Sequence, residues 1–445
     1  NMGLIIGIGN TKPTFPYDYY YGVKINTNVA DTTLERVGRP ELHASLPIQS
    51  RMRRCLLNDN GEVVTYLHAT DSTKTDTGAA ADLTGASGMV MVEIPEHYRK
   101  FEFDGTSILA LVSEVPLPGF HKVRKVYRSA YEATVDRTTA STPKLASVVN
   151  TTANFRGGDN TSSWDNTYRS LLGRPATGIN LTNFRAYARN RGAAGLNGAG
   201  WNCDLYEAQL NTYWLFVIEY ANLNCQAAFT AELTSEGYRQ GGLGAGVTTL
   251  NGQNWNKFNG CNPFILCGTT NKLGNRTGIV PYTMPTEYDN RQTVVSVPSY
   301  RGIENPFGHL WVWTDGIHVS VQSEADGGKY LIYRAIDDNP ANFQDNNNNE
   351  YIQRGELARE SGYVKQILCG EYGDNMPLVT GGSATTYFAD SINVPTGLYG
   401  TDLRGIYLGG AAYDGLNSGL SSMSAFAIPF FSNSALGTRL CFILE

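Results

Sequence analysis

The chain has 445 residues, of which 17% are charged and 48 are glycine, and its formal net charge is −6. The charges are scattered without long blocks of one sign, so the basic stripe that phosphate backbones require is missing and nucleic acid is not an expected partner. No run of about 18 apolar residues occurs, which argues against membrane insertion by a helix. A charged fraction below the usual ~25%, with abundant glycine, suits a loop-rich, weakly charged, extracellular-type protein.

Residues 1 to about 95 read as short strands and turns. Asn60-Gly61, between Leu57 and Val63, marks a hairpin. The polar stretch at 70–88 reads as an exposed loop. The expectation is a small β-rich mounting or assembly domain over 1–95, followed by a second domain over 96–445.

Longer strands begin near residue 89 and include 106–117 and 121–136. Two helices stand out after them. The first is expected over 182–190, opened by Thr182 as its cap. The second runs from about Asp204 to Tyr220, with Asp204 and Glu207 as a variant capping box. Its second half, WLFVIEY, is apolar on nearly every side, which indicates a buried helix. Beyond Ala221 the chain becomes glycine-, asparagine- and aromatic-rich loops with short strands. Two early helices followed by such a region give an α+β expectation rather than a doubly wound sheet.

Signatures of catalysis are missing: no GxSxG elbow, no HExxH, no GxxxxGK[ST] loop. The glycines at 241–246 read as a tight turn. Seven cysteines (Cys55, Cys203, Cys225, Cys261, Cys267, Cys369, Cys441) form no CxxC pair, and an odd number cannot all pair within one chain. They read as buried, reduced thiols, with a Cys261–Cys267 bridge as the alternative. The six histidines read as structural. In FQDNNNNEY (343–351), Asp345 and Glu350 could hold a hard cation such as calcium, against the alternative of a solvated loop tip. No catalytic residue and no cofactor is expected, a structural calcium ion being the one candidate.

The last forty residues combine Gly, Ser and Asn with large apolar side chains. AFAIPFF (425–431) does not alternate, and Pro429 cannot donate to a central ladder, so this segment reads as an exposed face rather than a core strand. Trp311 and Trp313 fall on one face of a strand and read as core. Trp255 divides evenly between a packed loop and a binding rim. The loops at 156–168 and 339–350 read as spacers.

GIENPFGHLWVWTDGI (302–317) resembles the core signature of the C-type lectin fold as found in formylglycine-generating-enzyme-like proteins. Residues 121–136, 204–220 and the closing block LGGAAYDGLNSGLSSM…GTRLCF are similar to the entry strand, long helix and closing strands of that superfamily. With 46–57, 90–102, 160–177 and 180–190, the arrangement resembles phage and prophage tail-fibre adhesins of gut bacteria. Some of these are tropism determinants diversified by retroelements.

The resemblance implies a C-type lectin fold with two helices and many short antiparallel strands, and a variable-type region over about 404–445. Its frame would be Gly409-Gly410, Gly415, Gly419 and Gly437-Thr438-Arg439-Leu440. Its ligand-binding positions would be Tyr413, Asp414, Leu416, Asn417, Ser424, Phe426, Ala427, Ile428, Phe430, Phe431 and Asn433. The implied function is a receptor-binding adhesin at a virion fibre tip, homotrimeric, engaging a host cell-surface protein or glycan. Residues 1–95 would contact other tail proteins. The alternatives are a non-adhesive tail or baseplate connector and a formylglycine-generating-enzyme-like enzyme. The enzyme match is the poorer one: only Cys441 lies beside the closing strands, in apolar surroundings, and neither the EPN nor the QPD lectin signature occurs.

Overall fold

The computed structural model describes residues 17–155, 172–192, 199–229, 265–283, 294–395, 403–412, 414–433 and 435–443. Strands dominate, at 42% against 16% helical. The α+β C-type lectin expectation is therefore corrected: the fold is mostly β-sheet, and its largest sheet curls into a nearly closed, barrel-like wall. Segments that looked like loops between turn residues are paired strands, among them Tyr351–Leu357, Gly362–Cys369 and Asn375–Thr380.

That largest sheet runs in the order Tyr351–Leu357, Tyr330–Ala335, Trp311–Val321, Leu403–Gly409, Gly419–Ser424, Ser391–Asn393, Gly362–Cys369, Asn375–Thr380. The short Leu436–Gly437 strand adds parallel to Trp311-Val312. Its two ends come together where the Ala358 N–H donates to the Pro377 carbonyl at 2.7 Å. Gly355 allows that approach, because a Cβ there would come 2.5 Å from Leu368 and 3.0 Å from Met376. Closure removes the unpaired edges that an open sheet would present.

A seven-stranded sheet runs Trp201–Cys203, Leu440–Ile443, Val126–Ser129, Met89–Ile94, Arg53–Leu57, Val63–His68, Asp71–Thr75. The expected hairpin is its Arg53–Leu57/Val63–His68 pair. At the turn Gly61 takes φ 79°, and the Asn58 side chain accepts from the N–H groups of Asn60 (3.0 Å) and Glu62 (2.9 Å). Part of the stretch expected as an exposed loop is the Asp71–Thr75 strand, with Ser72 buried against Arg54.

A five-stranded sheet places Tyr20–Asn26 between Glu35–Gly38 and Ser107–Ser113 and continues through His97–Phe103 to His121–Val123. The division expected near residue 95 therefore meets no break in the sheets. Tyr20–Asn26 pairs with Ser107–Ser113, and Met89–Ile94 with Val126–Ser129.

Three α-helices occur among the described residues: α1 (Pro40–Ser45), α2 (Leu181–Arg189) and α3 (Tyr206–Tyr220). The cap of α2 is Asn180, whose side chain accepts the Asn183 N–H at 2.8 Å. Thr182 instead donates its hydroxyl to Asp345 at 2.8 Å. α3 is buried on all sides through Trp214, Leu215, Phe216, Val217 and Ile218, as its apolar pattern predicts. The capping box does not form. Asp204 is fully buried and takes two bonds from Arg128 (2.8 and 2.7 Å), while Glu207 pairs with Arg99 and Arg334.

The 343–351 loop is tied down by hydrogen bonds. Both Asp345 oxygens accept from the Arg185 guanidinium at 2.8 Å, and the Asn348 side chain meets the His318 ring at 2.7 Å. Among the described residues no group of three His, Cys, Asp or Glu side chains forms a metal cage. Likewise among them, no helix is long and apolar enough to cross a membrane.

Candidate functional site

The closing block begins from a rigid floor. Trp311 and Trp313 project from the Trp311–Val321 strand and are buried, as expected, with Tyr407 packed edge-on to both at 5.2 and 4.9 Å. Gly405 faces Trp313 so closely that a Cβ would lie 2.6 Å from the indole ring. The chain then turns at Gly409-Gly410, with φ of 101° and 79°; a Cβ on Gly410 would come 2.4 Å from Ser418 Oγ.

After the Gly419–Ser424 strand the backbone stays pinned while its side chains turn outward. The Gly405 N–H donates to the Ala427 carbonyl (2.9 Å), Arg404 to the Phe426 carbonyl (3.1 Å), and Leu181 N–H to the Pro429 carbonyl (3.1 Å). The Phe431 N–H returns to Ile428 (3.0 Å), and Gly178 N–H reaches Asn433 (3.0 Å). On this support Phe426 (46%), Ile428 (38%), Phe430 (52%) and Phe431 (44%) stand exposed. Leu416 is exposed as well. The expected exposed face thus exists at these positions.

Two of the expected contact residues are not on it. Ser424 is buried within its strand opposite Tyr407, and Ala427 is buried against the tryptophan cluster. Burial alternates along 425–430, with Ala425, Ala427 and Pro429 inward and Phe426, Ile428 and Phe430 outward, but because all six are apolar the polarity pattern of the sequence did not separate the two sets. Tyr413 lies outside the described residues, as do the 241–246 turn, Cys261 and Trp255.

Beside the exposed side chains opens a cavity of about 420 Å3. Asp414, Asn417, Phe431 and Asn433 from the expected set line it. Sequence reasoning missed Ser361, Tyr363, Ser391 and Asn393, and it placed Trp311 only in the core. These residues come from distant segments. The parallel pairing of Ser391–Asn393 with the Gly419–Ser424 strand brings them in, and no local signal announces such a pairing.

Among the described lining residues there is no lysine or arginine, and Asp414 is the one acid. Its carboxylate accepts the Ala411 N–H at 2.7 Å and a bond from the Trp311 side chain, yet burial pushes its pKa up to about 6. Asn393 Oδ1 takes the Ser361 hydroxyl at 3.2 Å, and the Ser391 hydroxyl donates to the Asn417 carbonyl at 2.9 Å. The Asn417 side-chain amide has no partner among the described residues and is exposed. The result is a polar, almost uncharged, aromatic-lined recess with an apolar rim.

A second cavity of about 340 Å3 is lined by Arg99, Arg124, Arg334 and Arg354 together with Glu207 and Asp338. Three of these arginines are already paired with Glu207, Asp338, Asp374 or Glu371, so they hold the fold rather than await an anion. The described thiols offer no nucleophile. Burial pushes Cys441 well above an ordinary thiol and Cys369 up to about 12. Comparison with protein-family models and with curated proteins gives no match for this chain.

Proposed function

We propose that this protein is an attachment protein: a receptor-binding adhesin that engages a host cell-surface ligand through its C-terminal face. The observation that carries this is the presentation of Phe426, Ile428, Phe430 and Phe431 as exposed side chains on a backbone fixed by hydrogen bonds, with Phe431 also lining a cavity. Contiguous apolar exposure of this kind on a soluble surface marks an interaction site. Anchors held on an ordered backbone lose little freedom on binding, so more of their burial appears as affinity. A place at a phage or prophage tail-fibre tip, in a trimer, rests on the sequence resemblance. Several copies on one fibre would turn weak single contacts into firm attachment.

The separation of exposed from buried positions also suits a diversified surface. Leu416, Phe426, Ile428, Phe430 and Phe431 can change without touching the core, whereas Ser424 and Ala427 cannot. Closely related genomes should then differ at the first group and agree at the second.

The direct test is attachment of the purified protein to a panel of candidate host cells. Changing Phe426, Phe430 and Phe431 together to Ser should weaken binding by about 30-fold or more, the effect of losing one interface hot spot of ~2 kcal/mol. The melting temperature should stay within a few degrees. Undiminished attachment by the folded triple variant would overturn the reading.

A further inference from the structure

The lining of the 420 Å3 cavity is specific enough to name a ligand class. We infer that it receives a neutral saccharide unit, bound directly and without a metal ion. This inference rests on the attachment reading of the same face.

A phosphate, sulfate or sialic acid carboxylate entering the recess would lose water and meet no cation among the described lining residues; it would also face Asp414. An unpaired buried charge is strongly disfavoured. A cationic ligand would need an available carboxylate. Asp414 is committed to the Ala411 N–H and the Trp311 side chain. A purely apolar ligand would bury the exposed Asn417 amide, which has no protein partner among the described residues, against hydrocarbon. That desolvation would leave polar groups unsatisfied.

A neutral sugar meets both halves of the lining. Its hydroxyl groups donate and accept, matching amides and hydroxyls that can each do both. Its C–H faces suit aromatic residues, of which Trp311, Tyr363, Tyr407 and Phe431 border the recess. The volume lies within the range of small-ligand sites, roughly 300–1,000 Å3. The pinned backbone means the polar groups are in place before binding, which fixes orientation at low cost. With a single carboxylate among the described lining residues, a hard cation would find little negative charge to offset its dehydration, so recognition runs through direct hydrogen bonds. The exposed Phe430 and Ile428 lie outside the recess and would contact what the sugar is attached to.

The test uses the whole chain on a printed panel of neutral oligosaccharides built from hexose and N-acetylhexosamine units, beside sialylated and sulfated counterparts, with and without EDTA. The expected result is retention of at least one neutral structure, unchanged by EDTA and reduced tenfold or more when the same core is sialylated or sulfated. Asn417→Ala removes an exposed amide with no protein partner, so the fold should survive; it should weaken retention at least tenfold. Tyr363→Ala, checked for an unchanged melting temperature, should do the same.

Preference for acidic glycans, loss of binding in EDTA, or no retention of any neutral structure would overturn the inference. The attachment reading is scored separately, by cell binding. Cells that still bind after periodate cleavage of their sugars, but not after protease treatment, would sink the saccharide and keep the adhesin. Loss of neither the sugar nor the cell signal on changing the three phenylalanines would sink the adhesin.

Discussion

Asp390 is fully buried, and its partners are the Ser421 N–H (2.9 Å), the Ser421 hydroxyl (2.5 Å) and the Ser422 hydroxyl (3.4 Å), with no cation among them. Burial raises its pKa from 3.8 to about 6. Between about pH 4 and 6 the folded state therefore keeps a proton that the unfolded chain has released. The stability linked to that proton is complete below pH 4 and is lost as pH rises through 6, a difference of about 3 kcal/mol across the window. Asp390→Asn should remove this component. Urea midpoints measured from pH 4 to 7 should show the parent falling more steeply than the variant, and parallel curves would contradict the assignment. The same carboxylate explains Gly419, where a Cβ would lie 1.7 Å from Asp390 Oδ1. The sequence showed Gly419 as part of a frame; it could not show that a buried acid 29 positions earlier demands it.

At the scale of elements, the long central helix was legible and its seating was not. WLFVIEY announces burial because almost no residue in it is polar, and α3 is buried on every side. Its entry, however, depends on Asp204 and Arg128, which are 76 residues apart and both buried. Asp204→Ala should cost about 3–5 kcal/mol, because it leaves a guanidinium in the interior without its counter-charge. The double variant Asp204→Leu with Arg128→Met should recover much of that loss in thermal unfolding. If the single and double variants melt alike, the pair is not what seats the helix. The expected cap at Asp204 failed for the same reason: its oxygens are taken by Arg128, so α3 starts at Tyr206 behind the apolar Leu205. The contact face shows the opposite mixture. Its exposed aromatics were visible as an apolar run that does not alternate, but the recess beside them draws on Ser361, Tyr363 and Asn393, which only the sheet order brings near.

For the whole molecule, the fold class was misread because strands of three to eight residues, broken by glycine and asparagine, carry little periodic signal. Gly362–Cys369 and Asn375–Thr380 become recognisable once the wall closes on itself, and closure is a property of the sheet rather than of either segment. At this scale the strands of the unit expected before residue 95 also pair across that point, Tyr20–Asn26 with Ser107–Ser113 and Met89–Ile94 with Val126–Ser129. A fragment covering 96–445 should lack one of the two partners of Ser107–Ser113 and one of the two partners of Val126–Ser129. It should give a poorly dispersed amide NMR spectrum, whereas a well-dispersed one would show an independent domain.

The Leu440–Ile443 strand lies inside the seven-stranded sheet, between Val126–Ser129 and Trp201–Cys203, and Arg439 just before it is buried against the carbonyls of Ser129, Glu304 and Asn305. During synthesis this strand leaves the ribosome after every segment it joins, and after the whole contact face. The sheet therefore lacks its second strand, next to the Trp201–Cys203 edge, until residues 440–443 arrive. A chain that stopped within the contact face would leave Val126–Ser129 and Trp201–Cys203 without the strand that joins them. Substitutions at Phe426 or Phe430 alter exposed side chains and leave that strand intact, whereas loss of the reading frame within the face would remove it.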